Sequence, residues 1–392
     1  MTQEIYLCNG LRSPFGAFGG ALKNLTAPAL AAQIIKALQV KNNLQATDID
    51  EVILGQVIQG GTGQAPARQA LRQADLSDGT RAMTINKVCG SGLKAIMLAA
   101  DQIKLGEANL IYAGGMESMS NAPFTMANMR WGKALGNVEA VDLILGDALL
   151  DPYTGRHMGE LTEDRISEKS ITREAQDQYA ITSYQRAKAA EIAGLFEEEI
   201  CPITETHRGK EITHSKDEEP TKVNFEKIPN LRPAFSKTGT ITAANASSIN
   251  DGAAVCLVAS AEAVQKHGLT TEAKILAYSQ HSQDPNEFSL APIGAIKNLL
   301  EKTGLKISDI GVWEINEAFA AVPLMVAKEL DLDLSKVNID GGAVSLGHPV
   351  GASGGRLALH LALELKRSNV KYGIATLCIG GGEAVAMLLE RT

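Results

Sequence analysis

The sequence predicts an α/β protein made of two copies of one strand–helix alternation about a pseudo-two-fold axis, with a long excursion inserted into the first copy. Three observations carry this expectation. Residues 27–56 and 291–317 share one pattern, an amphipathic helix with Pro in its first turn, a polar link, then a short apolar strand. Ala27 answers to Ala291 and Asp48 to Asp309, so the register barely drifts. Residues 84–115 and 337–382 each read as strand, Gly-rich turn, helix, strand and terminal glycines. Finally, the segment from Gly382 (GEAVAMLL) resembles that from Gly252 (GAAVCLVA), but in the first copy it follows a far longer intervening stretch. The first half therefore spans 1–116 plus 246–270, the excursion 117–245, and the second half 271–392.

A chain of 392 residues has room for two or three domains. Hydrophobic residues at 45% and charged residues at 21% are ordinary for a folded globular chain. With aromatics at only 4% and 37 glycines, the core must come from Ala, Val, Ile and Leu, with many close backbone approaches. A net charge of −8 argues against a nucleic-acid partner. No run is long and apolar enough for a membrane helix, and no secretory leader is evident. Five cysteines without a Cys-x-x-Cys pair suggest neither a disulfide framework nor a metal site, and point to a reducing, cytoplasmic setting.

In the first half, Cys89 ends an apolar strand and precedes Gly90-Ser91-Gly92 and a helix. A thiol beside a helix N-terminus is expected to have a lowered pKa and nucleophilic character. In the excursion, five methionines (116, 119, 126, 129 and 158) suit either an adaptable ligand surface or core filling. Thr172 reads as a helix N-cap and Gly194 as that helix's stop. The polar run 207–227 reads as a solvated flap, and the excursion as a whole as a lid.

In the second half, the segment matching the Cys89 turn is Ser345-Leu-Gly-His348-Pro-Val-Gly-Ala-Ser353. Pseudo-symmetry brings the two turns together and sets an imidazole beside the thiol, a pairing that activates Cys nucleophiles. Cys378 ends the next strand, before Ile379 and three glycines, and Asn316 stands at a strand-to-helix junction. Singly, each also fits a structural role: His348 in a turn, Asn316 as an N-cap, Cys378 in the core. Their joint placement favours chemistry. Gly351-Ala-Ser353-Gly-Gly355 mimics a hydrolase elbow, but only His360 follows it, with no acid between, so that triad fails. Dinucleotide, P-loop and zinc motifs are missing from the chain.

The blocks NKVCGSGLKA around Cys89, GGMESMS (114–120), NEAFA (316–320), GGAVSLGHPVGASGGR (341–356) and CIGGGEA (378–384), in this order, resemble the thiolase family. HMG (157–159) and LRPAF (231–235) extend the likeness through the excursion. Length and insertion look most similar to the acetyl-CoA acetyltransferase (acetoacetyl-CoA thiolase) branch. The resemblance implies a five-layered αβαβα fold and a Claisen condensation of two acetyl-CoA to acetoacetyl-CoA and CoA. It gives Cys89 the role of acylated nucleophile, His348 its activator, and Cys378 the base for the second acetyl-CoA. Asn316 would hold the enolate oxygen through water with His348, and the N–H groups of Cys89 and Gly380 the oxyanion. The excursion would bind CoA, with His157, Met158, Ala234, Phe235 and Ser247 facing the pantetheine, Ala318 and Phe319 closing the wall, and Phe288 at the acyl pocket. CoA is thus substrate and product, with no further cofactor and no metal expected, and a homo-oligomer, tetramer or dimer, is implied. Two positions depart from the family pattern: Thr221-Lys222 stands where relatives commonly carry Arg near the nucleotide, and Phe288 where acetyl-specific relatives often carry Met. The rival readings are a degradative 3-ketoacyl-CoA thiolase for longer chains, a decarboxylating ketosynthase-like enzyme, and a non-catalytic acyl-CoA or lipid-binding module.

Overall fold

The computed structural model describes residues 3–392. The first half runs β1 (Ile5–Arg12), β2 (Gly16–Ala17), α1 (Ala27–Lys41), β3 (Glu51–Gly55), α2 (Pro66–Gln73), β4 (Arg81–Ile85), α3 (Ser91–Lys104) and β5 (Leu110–Ser118). The excursion holds β6 (Phe124–Thr125), β7 (Val141–Asp142), α4 (Met158–Lys169), α5 (Arg173–Ile192) and the hairpin of β8 (Ile203–His207) and β9 (Lys210–His214). Then follow β10 (Asn250–Ser260), α6 (Ala261–His267), β11 (Ala273–Ser282), α7 (Ala291–Thr303), β12 (Val312–Ile315) and α8 (Ala321–Leu330). The chain closes with α9 (Ala343–Leu346), α10 (Val350–Arg367), β13 (Tyr372–Ile379) and β14 (Glu383–Arg391).

The duplication is visible in the strand pairing. β1 meets β11 in a short antiparallel seam, Tyr6 opposite Lys274 and Leu7 opposite Ala273. Outward from this seam the first half reads β10, β5, β3, β4 and the second β14, β13, β12. The senses agree on both sides: antiparallel, antiparallel, then parallel. The strand expected near 337, the counterpart of β4, is reduced to one parallel bridge between Val337 and Trp313. Asn338 explains the truncation. Its side-chain amide accepts from Ile315 N and donates to Ile315 O, both at 2.8 Å, replacing the ladder bonds a further strand residue would make.

Apolar faces sort the elements into layers. α1 buries Leu30, Ile34, Ile35 and Leu38 against Val52, Leu54, Val255 and Leu257. α7 and α8 pack Ile296, Leu299, Val322 and Met325 against Ile315, Ile374 and Leu388. Between the halves, α3 and α10 share one core, with Ile96, Ile103, Leu357 and Leu361 meeting Ile53, Val258, Leu377 and Met387. The order is helix, sheet, helix, sheet, helix, as expected. The two central helices approach through glycine. A Cβ on Gly92 of α3 would lie 2.6 Å from Gly355 N, and one on Gly115 of β5 would lie 1.8 Å from Gly351 O. No side chain fits there, so the two helix-opening turns are held close together.

The excursion is anchored by buried charge. Arg12 donates to Glu199 Oε1 at 2.6 Å and to both carboxylate oxygens of Asp217 at 2.7 and 2.9 Å. Glu199 also accepts from His360 Nδ1 of α10 at 2.9 Å. The run 207–227 is therefore not simply a solvated flap. Asp217 and Pro220 are buried and Glu218 accepts from Ala17 N and Ala21 N, while the stretches 207–213 and 221–222 stay exposed. Thr172 caps α5 by accepting from Ala175 N at 3.1 Å, and Gly194, at φ +73°, follows its end. Among the described residues no helix is long and apolar enough to cross a membrane.

Candidate active site

Four turns converge on one cavity of about 250 Å³. The β4–α3 turn brings Cys89, the start of α10 brings His348, the end of β13 brings Gly380, and the excursion supplies the opposite wall. The Cys89 turn is strained: Val88 has φ +46°, rare for a β-branched residue. Ser91 holds it, accepting from Lys87 N at 2.8 Å and donating to Val88 O at 2.7 Å.

The Cys89 thiol is not acidified. Burial pushes it up to about 11, with Glu117 adding to the rise, against the backbone N–H groups of Gly380 and Cys89 that donate toward it. This corrects the expectation of a lowered pKa. Cys89 precedes the helix N-cap, Gly90, and desolvation outweighs the favourable helix terminus. Activation must come from a base.

His348 is built for that role. Burial, then Arg356, pushes its pKa down to about 4, so the ring is neutral. Ser353 Oγ donates to Pro349 O at 3.0 Å and therefore accepts from His348 Nδ1, 2.5 Å away. That leaves Nε2 unprotonated, accepting from Asn316 Nδ2 at 3.3 Å. Asn316 is fully buried and its Oδ1 has no partner. It is not a helix N-cap, because α8 begins five residues later. Cys378 is buried at the end of β13, its pKa raised by burial and further by Cys89.

The cavity wall contains His157, Met158, Phe235, Ser247, Phe288, Ala318 and Phe319, as expected. Ala234, Asn316 and Cys378 do not line it, the last two lying behind the surface. His157 caps α4 by accepting from Gly159 N at 3.0 Å and stacks on Phe235 at 4.5 Å, which meets Phe319 edge-on at 6.0 Å. Ser247 N and Oγ both donate to Ala318 O at 3.0 Å, stitching the segment just after the excursion to the Asn316 loop. Of the methionines, Met119 and Met158 reach the cavity, Met116 is core, and Met126 and Met129 are exposed.

Residues 5–262 match the thiolase N-terminal domain and residues 269–391 the thiolase C-terminal domain. The chain belongs to the thiolase family. This thiolase is 45% identical over 390 residues to the Xenopus laevis protein named mitochondrial acetyl-CoA acetyltransferase B, covering 99% of this chain and 92% of that one. Its fold matches the Bacillus anthracis acetyl-CoA acetyltransferase at TM-score 0.97 and 42% identity, covering 100% and 99% of the two chains. It matches human mitochondrial 3-ketoacyl-CoA thiolase at 0.96 and 38%, with full coverage of both. An Ascaris suum thiolase, Acat5, solved in complex with coenzyme A, matches at 0.94 and 40%, again over the whole of both chains.

Sequence reasoning passed over two polar residues of this thiolase's site. Ser353 belongs to the hydrolase-like motif that fails, yet it fixes the His348 tautomer. Glu117 lay inside a matching block without a role, yet it is a buried carboxylate accepting from three backbone N–H groups. Burial pushes it up to about 7 in spite of those donors. Its spacing from Gly114-Gly115 was visible, but its partners come from distant parts of the chain.

Proposed function

We propose that this thiolase catalyses the reversible condensation of two acetyl-CoA to acetoacetyl-CoA and CoA, through an acetyl group carried on Cys89. The observation that carries the proposal is the pairing, in one cavity, of a thiol facing two backbone N–H groups with an imidazole whose Nε2 carries no proton and is held only by a long contact from Asn316 Nδ2, at 3.3 Å, that a proton from the thiol can replace. As Cys89 attacks the thioester carbonyl, its proton passes to His348 Nε2 and the oxyanion settles against the N–H groups of Cys89 and Gly380. The carbon–sulfur bond to CoA breaks, and CoA leaves with the proton of Cys378.

The Cys378 thiolate then takes a methyl proton from a second acetyl-CoA. Its enolate oxygen is held by protonated His348 and a water on Asn316, whose Oδ1 is otherwise unpartnered. The carbanion attacks the acetyl group, Cys89 departs as thiolate and recovers its proton from His348. Cys89, His348 and Cys378 all regain their starting protonation, and the net transfer is one methyl proton of the second acetyl-CoA to the departing CoA. Two buried thiols suit alternate ionisation, since a charge on Cys89 raises Cys378.

His157, Met158, Ala234, Phe235 and Ser247 are assigned to pantetheine, and Ala318 and Phe319 to the wall, supported by the stacked and stitched contacts above. A second cleft, of about 330 Å³, is lined by Tyr184, Lys222, Lys227 and Ala244 of the excursion, the last of them three residues before Ser247. Thr221, which is exposed, donates to Glu218 O at 2.9 Å, and the cations for the nucleotide phosphates are Lys227 and Lys222, the latter 3.5 Å from Glu219. Phe288, 2% exposed, closes the cavity at the acyl end and supports a short chain. A homo-oligomer, a tetramer, is part of the proposal, supported by the exposed Phe124, Trp131 and Leu135. Five free thiols support the cytoplasm as its compartment.

Steady-state thiolysis of acetoacetyl-, 3-ketohexanoyl- and 3-ketodecanoyl-CoA, varying both substrates, tests the reading. Parallel double-reciprocal lines and preference for acetoacetyl-CoA are expected. Preference for the longer chains assigns a degradative role instead, and tight CoA binding without turnover leaves a binding module.

A further inference from the structure

α10 starts without a cap of its own. Its N-cap is Pro349, whose side chain offers no acceptor, although the first N–H groups of a helix need one. The acceptor arrives from the other half of the molecule. Glu117, near the end of β5 and fully buried, accepts from Gly351 N at 2.9 Å through Oε2. The same oxygen accepts from Val57 N at 3.0 Å, and Oε1 from Ile58 N at 3.2 Å.

Each end of this link leads to a reacting group. Gly351 stands three residues after His348. Val57 O accepts from Asn86 Nδ2 at 3.3 Å, and Asn86 Oδ1 accepts from Val88 N at 2.9 Å, next to Cys89. Val57, Ile58 and Val350 also share one apolar cluster with Val88 and Cys89. The fit around the carboxylate is close, since a Cβ on Gly351 would lie 2.8 Å from Glu117 Oε2. Glu117 does not line the cavity and touches no substrate.

We propose that Glu117 is a positioning residue: by capping α10 across the pseudo-two-fold axis while holding the 57–58 loop, it sets His348 at its working distance from Cys89. This rests on the thiolase chemistry proposed above. All three partners donate and none can accept, so the bonds favour the carboxylate against the burial that pushes Glu117 up. Glu117→Gln turns one oxygen into a donor facing an N–H group. Glu117→Asp keeps the charge but shortens the side chain, so it cannot span both loops.

The test uses the full-length wild type and both variants, with three readouts: thiolysis kinetics on acetoacetyl-CoA, the rate of Cys89 alkylation by iodoacetamide, and the thermal midpoint. The expected result is kcat reduced by about tenfold to a hundredfold in both variants with KM little changed, as for a displaced catalytic group. Alkylation of Cys89, a buried thiol that needs His348 to take its proton, should fall with kcat, most plainly in Glu117→Asp, which keeps the charge, while KM and the thermal midpoint hold. Unchanged kcat overturns the proposal, as does a lowered kcat with alkylation preserved, which puts the effect outside the Cys89–His348 pair, or a fall of both with a raised KM and a lowered thermal midpoint, which marks collapse of the whole site. If Glu117→Gln does not fold, Glu117→Asp decides alone: kcat and alkylation must fall together with KM preserved. A wild type that alkylates but does not turn over overturns the thiolase chemistry itself, and the proposal falls with it.

Discussion

Replacing Ser353 with alanine removes the one acceptor that fixes the proton of His348. In the native site Ser353 Oγ lies 2.5 Å from Nδ1 and donates to Pro349 O at 3.0 Å, so Nδ1 must carry the proton and Nε2 the lone pair. Without the hydroxyl, the buried Nδ1–H has no acceptor among the contacts around it, and the tautomer with the proton on Nε2 gains ground. That tautomer cannot accept the Cys89 proton. Leaving a buried donor unmade costs about 1–3 kcal/mol. If this falls on the transition state, kcat/KM for acetoacetyl-CoA drops by about five- to 150-fold. The assay is thiolysis followed by loss of the acetoacetyl-CoA absorbance, with circular dichroism as a check on folding. The Cys89 oxyanion donors are untouched, so acylation should slow without loss of CoA binding. Wild-type kcat/KM in a folded Ser353→Ala variant would refute the tautomer assignment.

Three further outcomes follow from the buried charges, the glycine contact and the cavity wall. His360, between Glu199 at 2.9 Å and Asp340 at 3.4 Å, is pushed up to about 9. Its contribution, about 3 kcal/mol as an upper figure, is complete below the unfolded value of about 6.5 and lost as pH rises through 9. The thermal midpoint should therefore fall between pH 7 and 10, and His360→Gln should flatten that step. Gly115→Ala places a methyl 1.8 Å from Gly351 O, backbone against backbone, and should cost at least about 3 kcal/mol in a denaturant titration. Phe288→Ala opens the acyl end, and its kcat/KM ratio for 3-ketohexanoyl- over acetoacetyl-CoA should rise by about tenfold or more, since one methylene is worth about 1–3 kcal/mol in a fitted pocket. An unchanged ratio would remove Phe288 from the acyl pocket.

What the sequence made legible was whatever repeats or has a local signature. Pro28 and Pro292 in matching helices, Thr172 and Gly194 at the ends of one helix, and the glycines around Cys89 all act through near neighbours. Pseudo-symmetry then carried Cys89 and His348 to one place, because duplicated halves meet at equivalent turns. Non-local contacts stayed hidden. Asn338 replaces a strand with its side chain, which no periodicity reveals. Asp217 looks like one acid in a polar run until Arg12, some 200 residues away in the chain, is found beside it. The Cys89 pKa went the other way for a related reason: the helix terminus is read locally, whereas desolvation depends on what the excursion and second half lay over the thiol. Ser353 and Glu117 act only through partners that the fold supplies.

Covalent chemistry on Cys89 is tested most directly by mixing the enzyme with acetyl-CoA alone, quenching in acid, and mapping the peptides by mass spectrometry. One acetyl group on the Cys89 peptide is expected, released again by free CoA and missing in Cys89→Ala, while the Cys378 peptide stays unmodified. Acetyl on Cys378 instead, or condensation proceeding at wild-type rate in Cys89→Ala, would contradict the assignment of nucleophile and base.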